Sequence, residues 1–121
     1  MENSQIEKYR HDLEVIRDTA RQIIKDFELF GIEITFSGNE QTAYQELKEQ
    51  IIPALRKLYN YETSSFMSLL YRIDADEKKV NEILNSSTEK NKAEQLADIV
   101  IEREFMKVLL RKLYSGSKKL R

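Results

Sequence analysis

The sequence predicts an all-α domain, a bundle of four to five helices with long first and last helices. Three observations point there. Apolar residues keep helical spacing without a break from Ile6 to Phe30. A second dense apolar run lies between Leu96 and Leu113. Turn formers are scarce, with three glycines and one proline in 121 residues. An all-β domain needs many turns, and turns draw on those residues. Hydrophobic residues make up 40% of the chain and charged residues 34%. That supplies a core for one domain, residues 1–121, and charge for the wet faces of its helices.

Ile6, Tyr9, Leu13, Ile16, Ala20, Ile23, Phe27 and Phe30 alternate in steps of three and four, a heptad seam. Ser4 with Glu7 offers a capping box at the start. Gly31 suits the left-handed position that ends a helix. The predicted first helix is about 40 Å long. Residues 32–36 alternate apolar and polar and read as a short extended connection, without a partner strand. A second helix begins near Asn39 or Glu40 with the stripe Tyr44, Leu47, Ile51, Leu55 and Leu58. Pro53 lies inside it and is expected to kink it near residue 49 rather than split it, because the stripe keeps phase. Tyr59-Asn60-Tyr61 reads as a turn.

Thr63 or Ser64 is expected to cap a third helix carrying Phe66, Leu69, Leu70 and Ile73. Asp74 with Glu77 is expected to cap a short fourth helix that buries Val80, Ile83 and Leu84. Residues 85–91 are polar and read as a loop. The last helix is expected from about Lys92 to Tyr114, central because its apolar face is wide. Ser115-Gly116-Ser117 is expected to end it, leaving 115–121 as a frayed tail.

Composition removes several function classes. The chain has no cysteine, so it offers no disulfide framework and no thiolate metal site. No apolar run reaches the roughly 20 residues of a spanning helix, so no membrane role is expected. The first residues lack the basic patch and apolar run of a secretory signal. Net charge is −1, yet every charged residue after Glu104 is basic: Lys107, Arg111, Lys112, Lys118, Lys119 and Arg121.

Two blocks carry a resemblance. One is Leu69-Leu70-Tyr71-Arg72-Ile73-Asp74, followed by Asp76-Glu77. The other is Ile101-Glu102-Arg103-Glu104-Phe105, followed by Lys107, Val108, Arg111 and Lys112. Together they resemble a group of short uncharacterised bacterial proteins, over the C-terminal half of the chain. The resemblance implies a cytoplasmic bacterial protein. It implies no activity and no functional residue.

The charges of those blocks form the candidate polar or partner site: Arg72, Asp74, Glu102, Arg103, Glu104 and Arg111. Glu104 and Arg111 are seven apart and share a helix face. The bland alternative is a helix cap plus surface ion pairs. The basic end, through Lys107, Lys112, Lys118, Lys119 and Arg121, is a candidate nucleic-acid contact. It also simply complements a helix C-terminus and solubilises a tail.

His11, with Glu7 and Glu14 on its face, reads as a solvated histidine, since a di-iron bundle needs paired Glu-x-x-His motifs. Asp74-x-Asp76 lacks the glycine and the final glutamate of a calcium loop. The third and fourth helices are too acidic to read DNA. The glycines stand apart, so no phosphate loop exists, and no nucleophile has a partner at the right spacing. No catalytic residue, metal or cofactor is expected.

The first-helix seam fits packing inside the bundle and also permits a homodimer. These readings lead to a non-catalytic helical interaction or regulatory module with a protein partner. The alternatives are a nucleic-acid-associated accessory protein and a small ligand-binding or enzymatic bundle.

Overall fold

The apolar spacing from Ile6 to Phe30 folds as two helices, not one. In the computed structural model, which describes residues 3–86 and 88–119, α1 spans Asn3–Arg10 and α2 spans Leu13–Glu28. Asp12 makes the break. Its backbone is extended, and its Oδ1 accepts from the N–H groups of Glu14 (2.9 Å) and Val15 (3.1 Å), which starts α2. Apolar periodicity carries no signal of a capping aspartate within it. Ser4 is not a cap, because it lies inside α1.

The turn that closes α2 is made at Gly31, as the sequence predicts. Gly31 takes φ 75, its N–H donates to the Glu28 carbonyl, and the Ile32 N–H reaches back to Phe27 at 3.1 Å. Residues 32–37 then run without regular structure, and Gly38 (φ 95) turns the chain. Ile34 is buried, and Ile32 and Phe36 pack against the core. Side chains of the next helix bind this backbone in place of a partner strand. Gln50 accepts from the Thr35 N–H at 2.8 Å, and Glu46 from the Ser37 N–H at 2.7 Å.

A single 3-10 turn, Glu40–Thr42, leads into α3, Ala43–Tyr61. α3 stays one helix through Pro53, which sits on its exposed side. Tyr59-Asn60-Tyr61 forms its last turn rather than a loop. The break falls at Glu62, where the backbone leaves the helical region, and α4 follows at once as Thr63–Ile73. Neither Thr63 nor Ser64 caps it. Main-chain bonds bridge the joint instead, with the Glu62 N–H donating to Leu58 and the Phe66 N–H to Glu62.

Asp74 closes α4 rather than opening α5. It takes the left-handed conformation (φ 63), and the Ala75 N–H reaches back to Leu70 at 3.0 Å. Asp76 is the cap of α5, Glu77–Ser86, with its Oδ1 accepting from the Lys78 N–H at 3.0 Å. Two aspartates stand two residues apart, and apolar spacing alone does not choose between them. The expected polar loop is shorter than 85–91. Asn85 and Ser86 belong to α5, and α6 begins at Glu89 behind Thr88, whose Oγ1 accepts from the Asn91 N–H. α6 runs to Lys119, continuing through Ser115-Gly116-Ser117 rather than ending there. One glycine costs a helix about 1 kcal/mol, too little to stop a long one. Residues 120–121 of the expected tail lie outside the described residues.

Six α-helices and no strand are thus present among the described residues. α6 packs on α2, α3, α4 and α5, central as its wide apolar face predicts. The main core joins α2 to α6 through residues such as Phe27, Leu47, Leu55, Phe66, Leu69 and Val100. A second, smaller core holds Val15, Phe105, Val108 and Leu109, with Ile6, Tyr9, Tyr44 and Leu113 against it. Among the described residues no helix is long and apolar enough to cross a membrane.

Candidate functional site

The buried face of α2 is wider than its seam, because α2 packs on α3, α4 and α6 together. It adds Thr19 and Asp26 to Ile16, Ala20, Ile23 and Phe27. Thr19 satisfies itself by donating to the Val15 carbonyl at 2.7 Å. Asp26 cannot, since it carries no proton in its charged form. On α6 the inward positions Val100 and Val108 bracket Glu104 at steps of four. The two helices thereby set two carboxyl groups against each other inside the protein, Asp26 1% exposed and Glu104 0%.

Two donors serve Asp26. Arg72 of α4 gives its Nε–H to Oδ1 at 2.9 Å, and Gln22 gives Nε2–H to the same oxygen at 3.1 Å. Asp26 Oδ2 and both Glu104 oxygens find no donor among the nitrogen and hydroxyl groups around them. Lys107 Nζ lies 3.4 Å from Glu104 Oε1, at ion-pair range. A proton on Glu104 supplies the missing donor. Burial, and then the hydrogen bond and charge of Asp26, push Glu104 up to about 8. Burial also acts to raise Asp26. The hydrogen bonds from Glu104, Gln22 and Arg72 outweigh it, so Asp26 is lowered and stays ionised. The arrangement is a carboxyl–carboxylate pair sharing one proton, tied to α4 by an arginine.

The structure brings Arg72, Glu104 and Arg111 together, though Arg111 joins indirectly. It donates to Gln22 Oε1 at 2.8 Å, and Gln22 in turn holds Asp26. Lys107 adds a contact to the Arg72 carbonyl at 3.5 Å. The other candidates fall elsewhere. Arg103 pairs with Asp74 at 2.9 Å on the surface. Glu102 lines one groove with Asp74 and Arg103, away from the acid pair, and takes Arg10 of α1 through two bonds of 2.7 and 2.9 Å. Lys112 is held by Glu14 and Asp18 at 2.6 and 3.0 Å. Arg121 and the side chains of Lys118 and Lys119 lie outside the described part of the chain.

Sequence reasoning missed Asp26, Gln22 and Arg10. A signal for Asp26 existed: Asp12, Thr19 and Asp26 share one heptad position, and a small polar Thr19 there marks a stripe wider than the seam. Nothing local distinguished Arg10 or Gln22, whose roles depend on helices far along the chain. His11 is exposed, and among the described residues no group of three or more His, Asp or Glu is placed to hold a metal ion.

Chemically, the acid pair can store or release one proton. Both groups are sealed from solvent, so a substrate reaches them only if helices part. A different surface stands open. α4 turns Ser64, Met67, Ser68 and Tyr71 outward along one stripe, with Tyr71 86% and Met67 47% exposed. No family model, curated protein or solved structure matches this chain.

Proposed function

We propose that the chain is a helical bundle serving as a non-catalytic protein-interaction module, with the outer face of α4 as its contact surface. One observation carries the reading. In a chain one-third charged, the eleven residues of α4 hold a single charge, Arg72, and that charge is engaged by Asp26. The outward stripe Ser64, Met67, Ser68, Tyr71 is therefore uncharged and partly apolar. Tyr and Met are enriched at the centres of protein interfaces, where their area is desolvated without breaking ion pairs. The buried Asp26–Glu104 pair supports the same reading, because it locks α2, α4 and α6 together and so fixes the face that α4 presents.

The test is co-purification from the native cell, read by mass spectrometry, with wild type beside Met67→Glu/Tyr71→Glu. Both side chains point outward, so the doubly substituted protein should melt within a few degrees of wild type. The expected result is a partner retained by wild type and lost from Met67→Glu/Tyr71→Glu. If the two proteins retain the same set, or wild type retains nothing, the reading fails.

A further inference from the structure

Two conflicting instructions meet at His11 and Asp12. Ile6, Tyr9, Leu13 and Ile16 keep one seam in phase across the joint, which specifies a continuous helix. Asp12 instead caps α2 and ends that continuity. The conflict shows at Leu13, a seam residue left 51% exposed. A cavity of about 550 Å³ lies at the same joint, lined by His11, Leu13, Tyr44 and Phe105 among others.

α1 does not follow the line of α2 along α6. Glu14 of α2 meets Lys112 of α6. A straight helix would carry Arg10, four residues earlier, further toward the C-terminal end of α6. Arg10 instead meets Glu102, ten residues back, or roughly 15 Å along the axis. The arm is seated there by specific contacts. Glu102 grips the Arg10 guanidinium with both oxygens, Glu7 holds its Nε, and the guanidinium lies 4.9 Å over the Phe105 ring. Ile6 and Tyr9 pack against the small core of Val15, Phe105 and Leu109. A helix of eight residues does not persist alone in water, so this seat is what holds α1.

We propose that α1 is an exchangeable arm: when the His11–Asp12 joint straightens, α1 leaves its own seat and the α1 of a second copy occupies it, giving a domain-swapped dimer. The occupant follows from the fit. The seat takes Ile6, Tyr9 and Arg10 of α1, and a second copy remakes those contacts. Only the joint changes, trading the Asp12 cap for a continuous seam through Leu13. Two-fold exchange fills both seats and leaves none open, so the assembly closes at two. The inference does not depend on the α4 surface.

The experiment uses the full chain. Light scattering after size-exclusion, over a range of protein concentrations, gives the dimerisation constant. Asp12→Ala removes a cap that only the bent form uses. Each dimer straightens two joints, so the constant should rise roughly 10- to 30-fold. Inserting two glycines between His11 and Asp12 relaxes the joint and should shift the chain to monomer. Because the chain lacks cysteine, Glu7→Cys/Gln41→Cys in the Asp12→Ala background, two positions that line the same cavity and leave Arg10 and Glu102 in place, permits joining by a bis-maleimide. In a swapped dimer the link runs between chains and yields a covalent dimer. A dimer whose link stays within each chain overturns the proposal, as does an Asp12→Ala chain that remains monomeric at every concentration.

Discussion

Glu104 lies beside Asp26 with no solvent access, so the protonation of the pair bears directly on stability. Its folded pKa, about 8, stands above the 4.5 of an ordinary glutamate. The folded state therefore binds this proton more tightly than the unfolded state between those two values. Stability falls as pH rises through that window, by at most ~1.4 kcal/mol per pH unit for one proton, and the loss is complete above pH 8. Asp26 acts in the other direction. Its folded pKa lies below 3.8, so its contribution is present above that value and disappears as pH falls through the lower one. Glu104→Gln keeps the shape and gives Asp26 a permanent N–H donor. Urea unfolding from pH 5 to 9 should show wild type losing stability across the range while Glu104→Gln stays nearly flat and is the more stable above pH 8. Parallel pH profiles for the two proteins would show that the pair does not share a proton.

The helix ends carry the next set of forces. Gly31 sits at φ 75 with open space where a Cβ would stand, so Gly31→Ala meets backbone strain and no clash. The expected loss is about 1 kcal/mol, read as a lower urea midpoint at unchanged slope. The two aspartates at the α4–α5 corner should separate by substitution. Asp76→Ala removes the α5 cap and should cost about 1 kcal/mol. Asp74→Gly removes left-handed strain of roughly 1 kcal/mol and loses an exposed ion pair with Arg103 worth less than that. It should leave the midpoint unchanged or raised. The reverse ranking would restore Asp74 as the cap. This corner also shows where the sequence was readable. The stripes of α2, α3, α4 and α6 were legible because burial repeats with the helical period. Gly31 was legible because few other residues tolerate its conformation. The break at Asp12, the extra turns on α3 and α6, and the choice of Asp76 over Asp74 were not. Each is decided by local terms of about 1 kcal/mol, which apolar spacing does not encode. The pairing of Asp26 with Glu104 was invisible for a further reason, because 78 positions separate them and only the packing of α2 on α6 joins them (104 − 26).

At the scale of the whole molecule, the two cores differ in what holds them. The main core is shared by five helices, α2 to α6; α2, α3, α4 and α6 bury large side chains at near-zero exposure and α5 adds Val80. α1 touches only the smaller core and presents Ile6 and Tyr9, both partly exposed. An eight-residue helix adds little stability of its own, so its seat depends heavily on Arg10. That side chain is half-buried, meets two carboxylates, and is stacked on Phe105. Local opening of α1 should therefore precede global unfolding, at a free energy well below that of the main core. Hydrogen exchange read by mass spectrometry should show residues 3–10 exchanging first, with α3 and the centre of α6 protected longest. Arg10→Ala should speed exchange in α1 at least about fivefold, since it removes a charge-assisted pair and a cation–π contact worth about 1 kcal/mol or more together. It should leave α4 and the centre of α3 unchanged, because Leu47, Leu55, Phe66 and Leu69 pack in the main core, away from Arg10. If Arg10→Ala slowed or left untouched the exchange of α1, or loosened the main core to the same degree, the arm would be an integral part of the fold. The opening that must precede any exchange of arms between copies would then have no physical basis.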